Sequence, residues 1–306
     1  MSTRLTPGMA MLLALPPLMW AGNAVVGRLL VGHVPPLALN ALRWTMAGLL
    51  LLPLGWRVLR NTRPICERWK YFALLGLTGV GSYNALQYMA LHTSTPLNTT
   101  LIAASSPVWM LAIGWLVYGV RTGAREIAGA AFSLAGVMLV LSRGKLSALA
   151  EINLVIGDLL MLLAVFSWAA YSWMLARPPA SMRGAARPSW NWAESLLIQV
   201  IFGSAWGIAA AGVEAAVQPA AIDWGWPVFA AIAFVAIGPS IVGYYCWGKG
   251  VLAVGPSIAA FFANLTPVFA ALMSALLLGQ PPQWFHVAAF VLIAAGIVVT
   301  AKRTTG

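Results

Sequence analysis

The sequence predicts an all-α membrane protein of ten transmembrane helices, arranged as two five-helix inverted repeats. Of the 306 residues, 61% are hydrophobic and only 8% are charged, whereas soluble domains carry about 25% charged residues. An offset of 160 residues aligns the second part of the chain with the first without a gap, relating Pro107 to Pro267 and Gly136 to Gly296. A duplicated block of membrane helices is typical of transporters, whose binding site lies near mid-membrane where the copies meet.

The spans follow from apolar stretches of about 20 residues, the length that crosses a bilayer. The first stretch resembles a signal peptide, but it continues through Trp20 and nine more follow, so an uncleaved span is predicted. The second is weakened by Arg43 and the fifth is short. In chain order the predicted spans are residues 8–31, 37–55, 69–91, 97–118, 123–142, 153–176, 192–213, 226–248, 256–278 and 283–301.

Basic residues are concentrated on one side of these spans. Fourteen lysines and arginines fall on that side, whereas the other side has only Arg143 and Lys145. The net charge of +11 therefore indicates membrane topology rather than a nucleic-acid partner, and both termini are predicted in the cytoplasm. Five spans per copy give the halves, residues 1–145 and 146–306, opposite orientations, which suits alternating access around a central site.

Motifs for chemical catalysis are missing from the sequence. It contains no HExxH, no GxSxG and no pair of aspartates at mid-span, so we expect neither catalytic residues nor an enzyme. The three histidines lie in separate loops without ligand spacing, so no metal site and no cofactor are predicted. Residues 243–249 spell GxxxxGK, but Gly250 stands where a phosphate-binding loop needs Ser or Thr.

Candidate substrate-binding residues are aromatic and amide side chains inside the spans. Trp20 with Asn23, and Trp168 with Tyr171, are i,i+3 pairs at corresponding places in spans 1 and 6. An indole or amide facing lipid lacks polar partners, so these side chains either line a pocket or pack between the halves. The remaining candidates are Tyr83, Gln87, Trp109, Tyr244, Trp247 and Asn264. Such a lining suits a zwitterionic or cationic organic solute with a flat apolar part.

Three charged residues and two prolines are further candidates. Arg43 either binds a substrate carboxylate or pairs inside the protein, Lys249 most simply sets topology, and Asp158 either caps its helix or takes part in transport. Because no span has an acidic residue at its centre, facilitated diffusion or exchange is expected rather than tight proton coupling. Pro107 and Pro267 should kink spans 4 and 9, as static bends or as hinges.

Five stretches of the chain carry a family resemblance: "MWAGNAVVGRLL", "PPLALNALRW", "SSPVWMLAIGWLVYG", "SWAAY" and "NLTPVFAALMSALLLG". Together with the two five-span halves, they resemble the EamA family of the drug/metabolite transporter superfamily over nearly the whole chain. The "WAAY" segment and the tryptophan content are similar to the aromatic amino acid exporter subgroup. The resemblance implies an inner-membrane exporter of amino acids or related metabolites. It places the site on spans 1, 3, 4, 6, 8 and 9, at Trp20, Asn23, Trp109, Trp168, Tyr171 and Asn264.

Other functions stay open on the sequence alone. A multidrug or quaternary-cation exporter would share the aromatic pocket but would require a carboxylate in the membrane. A phosphate-coupled metabolite antiporter would require two basic residues, for which Arg43 and Lys249 are the candidates. A membrane enzyme or lipid-handling protein is disfavoured by the missing catalytic groups. The expected partners are a small-molecule substrate and the lipid bilayer. Small residues in spans 5 and 10, among them Gly136 and Gly296, permit close helix contact, and both a monomer and a homodimer are compatible with the sequence.

Overall fold

The computed structural model describes residues 5–94, 96–145, 154–278 and 283–301. Within these ranges every regular element is helical. The α-helices are α1 (Pro7–Leu29), α2 (Pro36–Gly55), α3 (Arg63–Cys66), α4 (Trp69–Leu75), α5 (Tyr83–Thr93), α6 (Pro96–Ala104), α7 (Ser106–Leu116), α8 (Ala124–Leu141), α9 (Ile156–Ala176), α10 (Trp192–Val217), α11 (Trp226–Val235), α12 (Gly243–Val254), α13 (Pro256–Ala263), α14 (Thr266–Leu278) and α15 (Trp284–Ala301). Short 3₁₀ turns cover Trp56–Arg60, Ala180–Met182 and Gly184–Ala186.

Helices occupy all ten predicted intervals, as far as the described residues extend. Spans 1, 2, 5, 6, 7 and 10 are the single helices α1, α2, α8, α9, α10 and α15, and α10 continues to Val217, beyond the predicted end. Within the described residues, seven helical runs are long and apolar enough to cross a membrane, one of them the run Trp226–Val254, which makes the chain a multi-pass membrane protein. The count of ten spans stays a prediction. Residues 146–153, where the predicted halves join, and the basic termini (Arg4, Lys302 and Arg303) lie outside the described residues.

The other four predicted spans are not single regular α-helices. Spans 3 and 8 each contain a π-helical segment, Gly76–Ser82 and Ala236–Val242. Spans 4 and 9 each break into two helices, at Ser105 and at Asn264–Leu265. The π segments begin and end 160 residues apart, and so do α8 and α15. The offset found in the sequence therefore also relates local backbone irregularities, which mark functional or strained positions in membrane helices.

Helices α8 and α15 pack closely through small residues. A Cβ atom on Gly129 would lie 2.8 Å from the carbonyl oxygen of Gly296, and one on Gly136 would lie 2.9 Å from that of Ala289. Under the offset of 160, Gly129 corresponds to Ala289 and Gly136 to Gly296, so the contact is reciprocal. The two helices run in opposite directions. The small residues predicted to allow close contact thus meet within the chain.

The outside of the helix bundle is apolar. Large hydrophobic side chains such as Met11, Leu116, Trp226 and Val291 are each more than half exposed. A soluble protein rarely shows so much exposed apolar surface, whereas lipid tails cover it without cost. Buried polar groups such as Asn23, Arg43 and Asn84 instead lie inside the bundle, on α1, α2 and α5.

Candidate functional site

A central cavity of about 420 Å³ lies among these helices. Its wall comes from α1, α5, α6, α7, α9, α12, α13 and α14 together with Asn264, so both predicted halves contribute. Seven of the ten predicted substrate-binding residues line it: Trp20, Asn23, Tyr83, Gln87, Trp168, Tyr244 and Asn264. The cavity extends to Leu29 at the end of α1 and to Leu91 near the end of α5, which is the side away from most of the basic loops.

Trp168 stands at the centre of an aromatic cluster beside the cavity. Its ring centroid lies 5.1–5.3 Å from five other aromatic rings, which belong to Trp20, Tyr83, Tyr171, Tyr244 and Trp247. Edge and tilted contacts of this kind add about 0.5–1.5 kcal/mol each beyond simple burial. The cluster therefore presents an aromatic wall in which every ring except that of Tyr83 contacts at least two others.

Three predicted residues pack away from the central cavity. Trp247 is fully buried behind Trp20 and donates its indole N–H to Ser172 Oγ at 3.0 Å. The Tyr171 hydroxyl donates to Gln199 Oε1 at 2.9 Å. Trp109 packs edge-on against Phe166, with 5.9 Å between ring centroids. The contacts of Trp109 with Phe166 and of Trp247 with Trp20 join the predicted halves, as the packing interpretation expects, whereas both hydrogen bonds lie within the second half.

A second cavity, of about 290 Å³, lies beyond the aromatic cluster. Its wall includes Tyr171, Arg187, Tyr245 and Lys249, so it faces the side of the basic loops. Tyr244 lines both cavities, and its hydroxyl donates to the backbone carbonyl oxygen of Gly79 in the first π segment. Tyr244 and its neighbours therefore form a partition between two spaces at opposite ends of the bundle.

Gly79 allows this partition to form. A Cβ atom at Gly79 would lie 2.4 Å from the ring of Tyr171, closer than non-bonded carbon atoms approach. The π-helical winding disrupts the regular i→i−4 pattern here and leaves backbone carbonyl groups for other donors. The glycine and the winding together explain how the rings of Tyr171 and Tyr244 reach the backbone of the neighbouring span.

Arg43 does not line either cavity but lies behind Asn23. Its side chain is fully buried. Nη1 donates to Asn23 Oδ1 at 3.0 Å and to the Tyr88 hydroxyl at 2.8 Å. Nε and Nη2 donate to Ser240 Oγ at 3.0 and 2.8 Å. The sequence left open whether Arg43 binds a substrate carboxylate or pairs inside the protein. In the structure its described hydrogen-bond partners are internal and neutral.

The other two charged candidates lie at the ends of helices. Asp158 accepts hydrogen bonds from Ser94 Oγ and from the backbone N–H of Val155, at the N-terminus of α9. Lys249 is exposed, with its Nζ 4.6 Å from the ring centroid of Tyr245. Neither residue is part of the central cavity wall. Asp158 thus caps its helix, and Lys249 contributes positive charge to the second cavity.

Both candidate hinge prolines sit just after a break in a helix. Pro107 is the second residue of α7 and Pro267 the second residue of α14, positions where the missing N–H of proline costs little. Pro267 also lines the central cavity. The predicted bends are therefore observed as full interruptions, while a role for the prolines as hinges stays a prediction.

Several polar residues of the site were not predicted from the sequence. Asn84 and Ser106 line the central cavity, and Tyr88 and Ser240 bind Arg43. The offset of 160 residues was a usable signal for Asn84, because it pairs this residue with Tyr244. Ser240 follows a proline in a π segment and had no comparable signal.

A membrane-embedded cavity between duplicated helix sets, lined by aromatic and amide groups, defines a membrane transporter. The EamA-like transporter family model matches residues 7–142 and again 155–302. The chain belongs to this family, and the family assignment made from the sequence is confirmed.

Relatives match along nearly the full length of the chain. An uncharacterized transporter of Archaeoglobus fulgidus is 25% identical over 96% of this chain and 97% of its own. The uncharacterized inner membrane transporter YedA of Escherichia coli is 28% identical over 94% of this chain and 88% of its own. A probable amino-acid metabolite efflux pump of Salmonella typhimurium is 26% identical over 92% of this chain and 90% of its own. One solved crystal structure shares the fold, with a TM-score of 0.75 at 22% identity over 96% of this chain and 98% of that one.

Proposed function

We propose that the protein exports amino acids, aromatic or broad-range neutral ones, and related metabolites across the inner membrane. The observation that carries this proposal is the central cavity, whose volume falls in the range of small-molecule sites, about 300–1,000 Å³. Trp20, Trp168 and Tyr244 offer ring faces and edges to a flat side chain. Asn23 and Gln87 offer hydrogen bonds to the amino and carboxylate groups.

Two relatives support the direction and the location. The Salmonella protein is named as an amino-acid metabolite efflux pump and the Escherichia coli protein as an inner membrane transporter. The comparisons cover 94% of this chain for the Escherichia coli protein and 92% for the Salmonella protein. The aromatic subgroup is favoured by the cluster around Trp168, which lies within the "SWAAY" segment of α9.

Alternating access between the two cavities is the mechanism we propose. The halves, residues 1–145 and 146–306, would form an inverted repeat of ten helices, and their rocking would open the partition at Tyr244. Reciprocal packing of Gly129 against Gly296 and of Gly136 against Ala289, in antiparallel helices, supports this arrangement. The central cavity wall has no acidic residue among those described, which favours facilitated or exchange transport over tight proton coupling.

The rival functions have less support from the cavity. A quaternary-cation exporter requires a carboxylate counter-ion, and none lines the described wall. A phosphate-coupled antiporter requires two basic groups in the substrate cavity, but none lines the described central wall: Arg43 lies behind Asn23, and Arg187 and Lys249 line the second cavity. Neutral zwitterionic substrates fit the lining better than a quaternary cation or a phosphorylated metabolite.

Counterflow in proteoliposomes tests the proposal. Vesicles preloaded with unlabelled phenylalanine or tryptophan should accumulate the labelled compound, and Trp168→Ala should abolish the accumulation. The matched control is Trp226→Ala, which removes an indole that is 81% exposed on the outer surface and should leave counterflow intact. The proposal fails if the folded wild-type protein shows no counterflow with any neutral amino acid.

A further inference from the structure

Arg43 is a buried cation that has no carboxylate partner among the described residues. The acidic side chains in the described part of the chain are engaged elsewhere. Glu67 and Asp223 pair with basic residues in loops. The others accept backbone N–H groups at helix N-termini: Glu126, Asp158, Glu194 and Glu214. Because an arginine inside a membrane protein stays charged and is costly to bury, such a residue usually marks a binding function.

The Arg43 network fixes the direction of the Asn23 amide. Arg43 can only donate hydrogen bonds, so the Asn23 atom that it contacts must be the carbonyl oxygen. The Tyr88 hydroxyl, which accepts from Arg43, donates its own proton to the same oxygen at 2.8 Å. With Oδ1 held on the Arg43 side, the amide nitrogen Nδ2 faces away from Arg43. Asn23 lines the central cavity, and Nδ2 has no hydrogen-bond acceptor within the described residues.

A second polar group in the cavity wall lacks a partner. Ser106 lines the central cavity, is 4% exposed, and its Oγ makes no hydrogen bond within the described part of the chain. A buried hydroxyl left in this way costs about 1–3 kcal/mol. Ser106 Oγ is therefore, beside Nδ2 of Asn23, a second polar group of the cavity wall without a described partner.

The charge of Arg43 reaches the cavity through Asn23. A ligand oxygen bonded to Nδ2 would lie roughly 8 Å from the guanidinium, given ordinary hydrogen-bond lengths. Charges at this separation still interact appreciably in a medium less polar than water. Since Arg43 is not neutralised by a described carboxylate, it favours a negative group at this end of the cavity and disfavours a positive one.

We infer that the Asn23 end of the central cavity binds the carboxylate of the substrate. Asn23 Nδ2 donates to the carboxylate, and Arg43 is a positioning residue that orients the amide and supplies the positive charge. This inference rests on the proposed function and narrows it. The substrates are carboxylate-bearing amino acids, and the corresponding amines and amides bind poorly.

Ligand competition with the wild-type protein tests the inference without a variant. In the counterflow assay, tryptophan is compared with tryptophanamide and tryptamine as inhibitors of labelled tryptophan uptake. We expect tryptophan to bind on the order of tenfold or more tighter than either analogue, because both lack the charge-assisted hydrogen bond. Equal inhibition by all three compounds overturns the carboxylate assignment but does not contradict the proposed export of amino acids. Absence of counterflow with every compound overturns both proposals.

The variant Asn23→Asp tests the role of Arg43. An aspartate at this position pairs with the guanidinium, cancels its charge and removes the amide donor. We expect tryptophan to lose its advantage over tryptophanamide almost completely. The matched control is Asn61→Asp, which makes the same amide-to-carboxylate change at an exposed loop position outside both cavities and should preserve the ratio. Both variants must elute as folded protein. If the ratio of tryptophan to tryptophanamide affinity then changes equally in both, the inference is contradicted.

Discussion

The side-chain amide of Asn264 donates a hydrogen bond, 3.2 Å long, to the backbone carbonyl oxygen of Ala104. These residues stand 160 residues apart, so each is the counterpart of the other under the repeat offset. A residue can contact its own counterpart only near the axis that relates the two copies. Ala104 ends α6 and Asn264 follows the end of α13, so the bond joins the two broken helices at that axis, beside the central cavity.

Replacing Asn264 by leucine should lower the stability of the folded protein. The substitution removes the bond to Ala104 and a second bond, of 2.8 Å, to Ser133 Oγ, and hydrogen bonds between membrane helices contribute about 0.5–2 kcal/mol each. Thermal denaturation in detergent, followed by size-exclusion chromatography, measures the change. Gln87→Leu, which removes an amide with no described hydrogen bond, is the control. Equal melting temperatures for the two variants would contradict the structural role of Asn264.

Two glycine substitutions should have opposite effects on stability, one in the contact between α8 and α15 and the other on the open side of α10. A Cβ atom on Gly296 would lie 2.7 Å from the carbonyl oxygen of Gly129, whereas none of the described atoms lies within 4 Å of one built on Gly212 in α10. Gly296→Ala should therefore destabilise the protein, because backbone atoms must move apart. Gly212→Ala should be neutral or stabilising by up to about 1 kcal/mol, because alanine favours the helix.

The same melting assay distinguishes these two glycine variants. A Gly296→Ala protein that melts at or above the wild-type temperature would show that the two helices can separate without cost. That result would also weaken the inverted-repeat proposal, since the reciprocal contact is one of its supports.

Tyr244 should keep the two cavities apart in the absence of transport. Tyr244→Ala removes the ring that lines both cavities, so we expect substrate to leak through the protein without exchange. Efflux from preloaded proteoliposomes into substrate-free buffer should rise several-fold, while counterflow accumulation should fall. Tyr245→Ala is the matched control, because Tyr245 lines only the second cavity and packs against Trp192, with 4.7 Å between ring centroids.

Counterflow unchanged by Tyr244→Ala would place the barrier elsewhere. The aromatic cluster would then serve only to pack the halves together, as the sequence also allowed. Equal leakage in the Tyr244→Ala and Tyr245→Ala proteins would indicate a general loss of packing rather than a specific partition.

The sequence predicted the helices well because their signals are local. Apolar length locates helices at all ten predicted intervals, and the repeat offset relates the π segments at Gly76–Ser82 and Ala236–Val242. The interruptions themselves were predicted only as bends, at Pro107 and Pro267. A π segment has no simple sequence signature, since its winding depends on what the neighbouring helices donate to its free carbonyl groups.

The site was harder to predict because residue type does not reveal the direction of a side chain. The sequence predicts Trp168 and Trp247 alike as aromatic groups within spans, yet of the two only Trp168 lines the central cavity. The partners of Arg43 come from three other spans, and one of them, Ser240, lies 197 residues away in sequence. Such a network depends on tertiary packing, which periodicity in a single helix does not encode.

The predicted orientation in the membrane can be tested with the two native cysteines. Cys66 is exposed in the basic loop after the second span, whereas Cys246 is buried. If both termini are cytoplasmic, a membrane-impermeant maleimide should label the protein in inside-out vesicles but not in intact cells. Cys66→Ser should abolish the labelling, because the Cys246 thiol is shielded by protein.

A cysteine on the opposite side completes this test. Lys145 lies in an exposed position after α8, on the side that has few basic residues. Lys145→Cys in the Cys66→Ser background should be labelled in intact cells and spared in inside-out vesicles. The reverse pattern for both positions would invert the topology. The central cavity, which extends to Leu29 and Leu91 at the far ends of α1 and α5, would then face the cytoplasm, and the structure would represent a state open to the side from which an exporter loads its substrate.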